Sequence, residues 1–378
     1  MHKKELYPIL LAAILSFTGV SYSIPEAAAQ RPAGETEVEV NETQMNNAKA
    51  AQAKHQPALM KQPGVRGVGV GLMEDGKRVG IHVFVAKGQR RPEMPKQLEG
   101  VPVRIIEAGP FKAHDGPCDS SSPCHIGEVA LPVQMGNSTS NDNGQFAGTL
   151  GFRVMRRGDP SIVGYITNNH IAAASGGNLC PAQINPENLP AFETQQCQPG
   201  KLDASGGICV APPIGNLVQV VPLIMGGEFL NTVDAAFVQS NRGCVSKTIR
   251  DIGNPTANAA FPKLNSILRL SGRTSGLRRV KVITINAAVL VDYDAACGEA
   301  LFVNQAVTVA VTGSSASLPG DSGAPLVNGD RKAIGLNFAG GIADGISVGI
   351  ITPMPLVLNA LGVVIDTAPN EPPAATCP

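Results

Sequence analysis

From Phe146 onward, short apolar runs recur between turn residues, and only Pro353–Leu361 has a clear helical pattern. The chain carries 42 Gly and 30 Pro in 378 residues and no Trp, which supplies many turns. Short apolar runs between frequent turns favour strands over long helices, and many short strands pack as a sandwich or a barrel. We therefore expect a mainly β domain over residues 146–365, closed by a C-terminal helix.

The start of the chain has the pattern of an export signal. Two lysines precede an apolar run from Ile9 to Val20, and three alanines before Gln30 offer a small-residue cleavage site. A retained membrane anchor is the alternative, but the run is shorter than the roughly 20 residues that cross a bilayer. We expect residues 1–29 to be a signal peptide and the mature protein to be secreted or periplasmic, without stable membrane insertion.

The eight cysteines fit an exported protein, since an even number in an oxidising compartment usually forms disulfides. The expected local pairs are Cys118 with Cys124, and two of the three cysteines between residues 180 and 209. A metal site is the alternative, because His114 and His125 flank the first pair. Their spacing fits no standard zinc pattern, so we expect neither a metal nor a cofactor.

Charge excludes some partners. The 30 basic residues balance 30 acidic ones, without the clustered positive charge that nucleic acids and anionic membranes attract. A protein or peptide substrate and no nucleic acid is the expectation that remains.

The region before the β domain has several parts. A polar segment, residues 30–61, predicts a helix from Asn41 to Lys61 that is interrupted at Pro57. Residues 62–108 predict a small α+β unit, either a permanent accessory domain or a pro-segment that covers a cleft. Its expected elements are strands Gly64–Leu72, Val79–Val85 and Val101–Ile106, with a short helix near Pro92–Leu98.

Two further segments lack regular patterns. Residues 109–145, rich in Cys, Ser and Asn, predict a linker or a disulfide-stapled loop. Residues 366–378 predict a proline-rich disordered tail, tethered at most through Cys377.

Ser322 lies in the segment Gly320-Asp321-Ser322-Gly323, which suits a nucleophile. Hydrolysis by a serine needs a base for the hydroxyl proton, a carboxylate that orients the base, and amides for the oxyanion. Gly320 permits the tight turn that aims the amides of Gly320 and Ser322 at one point. An ordinary Gly/Ser turn is the alternative, since such turns are common.

The candidate base is His170, because it is the only one of six histidines within the β domain. It follows the apolar strand Ile162–Ile166 and begins a turn of small residues. An isolated histidine is more often a packed or surface residue. The strand–turn context and the downstream Ser322 segment favour the catalytic interpretation.

The candidate carboxylate is Asp234, an acid embedded in an apolar strand. Burying an unpaired carboxylate is costly, so it needs a partner, and an imidazole N–H would serve. Capping by backbone amides is the alternative. Asp292 and Asp294 are weaker candidates, since they flank Tyr293 outside any such pattern.

These three segments together resemble the trypsin-like, chymotrypsin-fold serine peptidases. Thr167–Ile171 resembles their T-A-A-H-C box, Val233–Ala236 their D-I-A-L strand and Gly320–Pro325 their G-D-S-G-G-P box, in the family's order His, Asp, Ser. Ala324 replaces a glycine of the last box, and two asparagines replace two alanines of the first. The resemblance covers residues 145–364 and implies a double β-barrel and peptide hydrolysis through an acyl-enzyme.

A closer resemblance is to the bacterial trypsin-like peptidases related to the plant narrow-leaf proteins. The N-terminal hairpin, Gly148–Gly151 and Ser271–Leu277 carry it. Activation by a freed N-terminus, as in the pancreatic enzymes, is not expected, since Ile162-Val163-Gly164 belongs to the strand before His170. Asp321 should therefore have another partner.

The resemblance also implies a substrate pocket. Ala316 would lie near its floor, and Asn337, Phe338 and Ala339 would form its wall. Without an acid at residue 316, we expect small or medium apolar residues before the scissile bond. Two alternatives remain beside the endopeptidase, namely a catalytically silent binding protein of the same fold and an esterase with the same triad.

Overall fold

The computed structural model describes residues 40–89, 93–113, 124–144, 146–173, 194–209, 212–294 and 297–377, which belong to one compact unit. The predicted signal peptide, His114, Cys118 and Cys180 lie outside these residues. Within the described ranges, no helix is both long and apolar enough to cross a bilayer.

The described residues are mainly β. Three helices are α1 Glu42–Met60, α2 Asn169–Ala172 and α3 Met354–Leu361. In chain order the strands are β1 Val65–Leu72, β2 Val79–Ala86, β3 Gln97–Leu98, β4 Val101–Ala108, β5 Phe111–Ala113, β6 Val133–Met135, β7 Ser138–Asn141, β8 Gly148–Thr149, β9 Arg153–Arg156, β10 Asp159–Thr167, β11 Gln195–Cys197, β12 Gly215–Val220, β13 Leu230–Asn231, β14 Ala236–Ser240, β15 Val245–Ile249, β16 Ile267–Gly272, β17 Gly276–Asp292, β18 Glu299–Ala310, β19 Pro325–Val327, β20 Ala333–Ala343, β21 Ile346–Pro353 and β22 Val363–Ile365.

Two sheets form the predicted β domain. The first, called the first barrel below, has eight strands with antiparallel pairing in the order β22-β9-β10-β14-β12-β11-β7-β8. The second contains a closed ring of six strands, β16, β17, β18, β21, β20 and β19, because β17 also pairs with β18; this ring is called the second barrel. Each has its own apolar core, exemplified by Phe152 and Phe237 in the first and by Leu270 and Leu326 in the second. The predicted helix Pro353–Leu361 is confirmed as α3.

The N-terminal unit is joined to the second sheet by strand pairing. Strand β1 pairs antiparallel with β2 and, on its other side, with β17, from Gly67 opposite Val289 to Gly71 opposite Thr284. Strand β4 pairs parallel with β2. Helix α1 covers this sheet through buried Ala48, Ala51 and Leu59. The unit predicted to be self-contained therefore extends the sheet of the second barrel.

Two helix predictions in the N-terminal unit are wrong. Helix α1 continues through Pro57 rather than breaking there, with Asn41 capping its start by accepting from Gln44 N at 3.0 Å. Residues 93–98 contain no helix, since Gln97–Leu98 forms β3 instead. The positive φ angles of Glu99 and Gly100, 51° and 78°, make the turn by which β3 pairs with β4.

The predicted linker and the predicted disordered tail also differ from the structure. Within 109–145, β6 and β7 belong to sheets, and Val133 and Met135 lie in the first core. The tail runs along the first barrel in irregular conformation, anchored by buried Asp366, which pairs with Arg153 and Arg242 at 3.1 and 2.9 Å. The proline content predicted disorder, but the Asp366 ion pairs and the Cys244–Cys377 disulfide hold the tail in place although it has no regular secondary structure.

Disulfides follow the predicted logic where the described residues permit a test. Cys197 pairs with Cys209 inside the predicted loop, and Cys244 pairs with Cys377 at the tail. Cys124 and Cys297 are disulfide-bonded as well. The predicted partner of Cys124, Cys118, lies outside the described residues.

Candidate active site

The structure brings His170 and Asp234 together in a fully buried pair. His170 Nδ1 lies 2.6 Å from Asp234 Oδ2. The other carboxylate oxygen, Oδ1, accepts from the backbone amides of Asn169 at 2.7 Å and His170 at 3.4 Å. Both interpretations offered for this acid, an imidazole partner and backbone amides, therefore hold at once. The hydrogen bonds satisfy a carboxylate that burial would otherwise penalise.

The two asparagines that precede His170 connect its short helix by hydrogen bonds to neighbouring segments, one of which, between β13 and β14, carries Asp234. The Asn168 side chain donates to the backbone carbonyl of Asp234 at 2.6 Å, and the Asn169 side chain donates to Val221 O at 2.9 Å. These are the positions where the family box has alanines. The departure from the family pattern thus adds two hydrogen bonds around the base.

Tyr293 is a neighbour of the pair that the sequence analysis passed over. Its hydroxyl donates to Asp234 Oδ2 at 2.7 Å, and its ring lies edge-on to the His170 ring, with centroids 5.7 Å apart. Burial, followed by the adjacent Asp234 carboxylate, raises the pKa of Tyr293 well above its usual value. The flanking acids Asp292 and Asp294 serve local turns instead, accepting from the amides of Asp294 and Cys297.

Ser322 sits in a turn between the two sheets. Gly320 and Gly323, with φ angles of 96° and 90°, adopt the left-handed conformation that suits glycine. The Ser322 carbonyl accepts from Thr149 N at 2.7 Å, and the Gly320 carbonyl accepts from Thr149 Oγ1 at 3.0 Å. Strand β8 of the first sheet thereby holds the turn on the second.

Asp321 has the other partner that the sequence predicted, in the form of three backbone amides. Its Oδ1 accepts from the amides of Thr274 and Ser275, both at 3.0 Å, and its Oδ2 accepts from Leu318 N at 2.8 Å. The motif Ser271–Leu277 therefore supports the turn of Ser322 directly. Arg273 of the same motif forms a buried ion pair with Asp203, with Nε 2.6 Å from Oδ2.

The Ser322 hydroxyl has a backbone partner on β20. Its Oγ donates to Phe338 O at 3.3 Å. His170 Nε2 is buried and has no hydrogen-bond partner among the residues that the structure describes. Nucleophile–base hydrogen bonds are often long or absent before substrate binds, so this geometry is compatible with a resting site.

The residues predicted to form the pocket are buried together on the second barrel. Ala316 is buried and donates its amide to Ser347 Oγ at 3.3 Å, while Phe338 and Ala339 lie on β20. The Asn337 side chain donates to Asp321 O at 3.2 Å. Its Oδ1 and Ser317 Oγ are buried without a partner in the described part of the chain.

A short strand of the chain itself lies on the strand predicted to form the pocket wall. Strand β5 pairs antiparallel with β20, Ala113 opposite Ala339 and Lys112 opposite Gly340. On its other side it pairs parallel with the end of β17. Phe111 is fully buried, edge-on to Phe84 with ring centroids 5.6 Å apart. Phe338, the residue immediately before Ala339, carries the backbone carbonyl that accepts from the Ser322 hydroxyl.

The two described residues of the alternative metal site, Cys124 and His125, have protein partners. His125 Nδ1 lies 2.9 Å from Gly136 O, and its Nε2 lies 2.9 Å from Asp251 Oδ2, so both ring nitrogens have protein partners. Cys124 is disulfide-bonded. His114 and Cys118 lie outside the described residues.

Comparison with known proteins identifies the class. Residues 225–361 match the family model of trypsin, which confirms the resemblance to chymotrypsin-fold serine peptidases. The match runs from the region of Asp234 to α3. No curated protein shows significant similarity to the chain. The closer relation to the narrow-leaf proteins stays a prediction.

The solved structures similar to this chain include three proteases. Thermobifida fusca protease A is 19% identical, covering 62% of this chain and 99% of its own, with a TM-score of 0.40. Cellulomonas bogoriensis chymotrypsin is 18% identical, with the same coverages and a TM-score of 0.38. Nocardiopsis protease is 16% identical, again with 62% and 99% covered and a TM-score of 0.40.

Proposed function

We propose that the protein is a secreted serine endopeptidase that uses Ser322, His170 and Asp234 to form and hydrolyse an acyl-enzyme. The observation that carries the proposal is the buried His170–Asp234 pair, whose Nε2 has no hydrogen-bond partner in the described residues. Asp234 fixes the proton on Nδ1, so Nε2 keeps its lone pair for the Ser322 proton. The disulfides Cys197–Cys209 and Cys244–Cys377 fit export.

The proposed reaction follows from these positions. The Ser322 hydroxyl rotates from Phe338 O toward His170 Nε2, which takes its proton as Oγ attacks the substrate carbonyl. The amides of Gly320 and Ser322 then stabilise the oxyanion. The Gly320 amide donates to no group among the described residues, so it is available for this role. The imidazolium returns the proton to the leaving amine, and water repeats the sequence on the ester.

Labelling with a fluorophosphonate tests the nucleophile. We expect the wild-type protein to be labelled at Ser322 and to lose the label in Ser322→Ala and His170→Ala. Ser240→Ala is a matched control, because Ser240 is also buried but donates to Ile214 O on the first sheet. Failure of wild-type protein to label would favour the silent binding protein instead. Turnover of esters without casein would favour the esterase.

The proposed specificity is for small or medium apolar residues before the scissile bond. Its support is the uncharged Ala316 together with the apolar side chains of Phe338 and Ala339. A digest of a peptide library tests it. Efficient cleavage after Arg or Lys would overturn it. A preference for hydroxyl or amide side chains would also overturn it, and would indicate that Ser317 and Asn337 determine the specificity, since their buried polar atoms lack partners in the described chain.

We also propose that the N-terminal unit, together with β5 that follows it, is an inhibitory pro-segment. Strand β5 occupies the edge of β20 on which an extended substrate would pair, because a peptide that adds to a sheet edge uses the same backbone groups. The complete burial of His170, Asp234 and Ser322 agrees with a covered cleft. A substrate and β5 would therefore compete for one edge.

The mass and N-terminus of the secreted, active protein test removal of this unit. A start beyond residue 113, absent in the Ser322→Ala protein, would support self-removal. A fully active protein that still begins near Gln30 would reject removal and leave a permanent accessory domain.

A further inference from the structure

One buried hydroxyl from the second barrel reaches the acid of the triad. Asp234 Oδ2 accepts from Tyr293 at 2.7 Å and lies 2.6 Å from His170 Nδ1, so one oxygen serves both groups. The Oδ1 atom is occupied by the amides of Asn169 and His170. The four contacts leave the carboxylate little freedom to rotate, and only the Tyr293 contact comes from outside the first-barrel segments.

The ring of Tyr293 adds a second constraint. It stands edge-on to the imidazole at an interplanar angle of 78°. It is itself held by Phe302, with centroids 6.2 Å apart, and Phe302 packs on Phe338 at 4.8 Å. Phe338 carries the carbonyl that accepts from Ser322. A continuous chain of packed rings therefore runs from the base to the resting nucleophile.

Tyr293 stays protonated while the peptidase works, since burial raises its pKa far above its ordinary value. It is thus a constant donor. A donor on Oδ2 disperses part of the charge that the histidine N–H would otherwise receive alone, and it fixes the plane in which that N–H must lie.

We propose that Tyr293 is a positioning residue of the triad, which acts through Asp234 to set the orientation of His170. This role rests on the proposed peptidase function, and Tyr293 does not touch substrate in it. Removing only the hydroxyl, Tyr293→Phe, should lower kcat about tenfold to hundredfold, the kinetic equivalent of one hydrogen bond to a charged group. KM should change little.

Tyr165→Phe is the matched control. Tyr165 is fully buried in the first barrel, and its hydroxyl lies 3.2 Å from Thr139 Oγ1, a neutral partner. The same chemical change there should lower stability without lowering kcat per active site. Fluorophosphonate titration of each preparation counts the active sites, so a folding defect and a catalytic defect are separated.

A proton NMR measurement on the full secreted chain gives a readout without turnover. The far-downfield resonance of His170 Nδ1–H, identified by its loss in His170→Ala, should move further downfield in Tyr293→Phe, because Asp234 Oδ2 then serves one donor. It should not move in Tyr165→Phe. Since this arm needs no activity, it remains informative if the protein proves not to be a peptidase.

Fluorotyrosine keeps the test open if Tyr293→Phe does not fold. The chain has four tyrosines, two of them within the predicted signal peptide, so a labelled mature protein carries only Tyr165 and Tyr293. The more acidic hydroxyl should shift the His170 resonance upfield, and Tyr165→Phe should retain that shift. An unmoved resonance in either experiment, or a wild-type kcat in folded Tyr293→Phe, would overturn the proposal.

Discussion

Replacing Phe111 with alanine should uncover the cleft. Phe111 is fully buried, and its ring packs edge-on against Phe84 at a centroid distance of 5.6 Å. Deleting a buried phenylalanine side chain costs about 3–5 kcal/mol. Because β5 is only three residues long, Phe111–Ala113, this ring is its main apolar anchor. If about 3 kcal/mol of the loss falls on the docking of β5, its undocked population rises by roughly a hundredfold.

The rate at which a fluorophosphonate labels Ser322 in freshly purified full-length protein measures this population. Phe111→Ala should label much faster than wild type, with the increase limited by the rate of undocking. Phe152→Ala is the control, since Phe152 is equally buried but lies in the core of the first barrel. It should lose similar stability without faster labelling. Equal labelling rates in all three proteins would refute the reasoning that β5 covers the site.

Three further changes have defined outcomes. Burial lowers the pKa of His82 from 6.5 to about 4, so the fold is most stable with respect to this group above pH 6.5. About 3 kcal/mol of unfolding free energy is lost as the pH falls from 6.5 to 4. Urea unfolding should show this pH dependence in wild type and not in His82→Gln. Gly320→Ala should abolish peptidase activity, since φ is 96° and a Cβ would overlap Arg273 and Thr274 and displace the turn of Ser322. Circular dichroism of the variant should show a folded protein, which separates this loss from unfolding. Asp203→Asn should lower the free energy of unfolding by about 3–5 kcal/mol in thermal melts, because it removes the carboxylate that pairs with the buried Arg273 guanidinium; an unchanged melting temperature would contradict this.

Much of the candidate site could be predicted because its chemistry is encoded locally. The Gly-Asp-Ser-Gly segment carries its own turn geometry, and an acid among apolar residues indicates a buried partner. The strand predicted around Asp234 was wrong, since this residue lies between β13 and β14. The pairing of His170 with Asp234 followed from the need for a partner, and the structure forms it at 2.6 Å. The short apolar runs after Phe146 likewise indicated a mainly β domain, and the family resemblance implied the two barrels.

The failures share a different cause. Tyr293 was passed over because nothing in its neighbourhood along the chain relates it to Asp234, 59 residues away. The pairing of β5 with β20 joins segments more than 200 residues apart, and three residues give no period that could predict a strand. The pairing of β1 with β17 was missed for the same reason, since a strand's own sequence does not encode which distant strand it pairs with.

The proposed triad is divided between the two barrels, so the proposed activity depends on how the barrels are held together. His170 and Asp234 belong to the first-barrel segments, whereas Ser322 belongs to the second. The contacts that join the halves at the site include Thr149 N to the Ser322 carbonyl at 2.7 Å, Tyr293 to Asp234 at 2.7 Å, and Arg273 to Asp203. Misplacement of a reacting group by about 1 Å can cost a hundredfold in rate. A substitution at any of these contacts should therefore lower kcat more than the same hydrogen bond lost within one barrel, even where the loss of stability is equal.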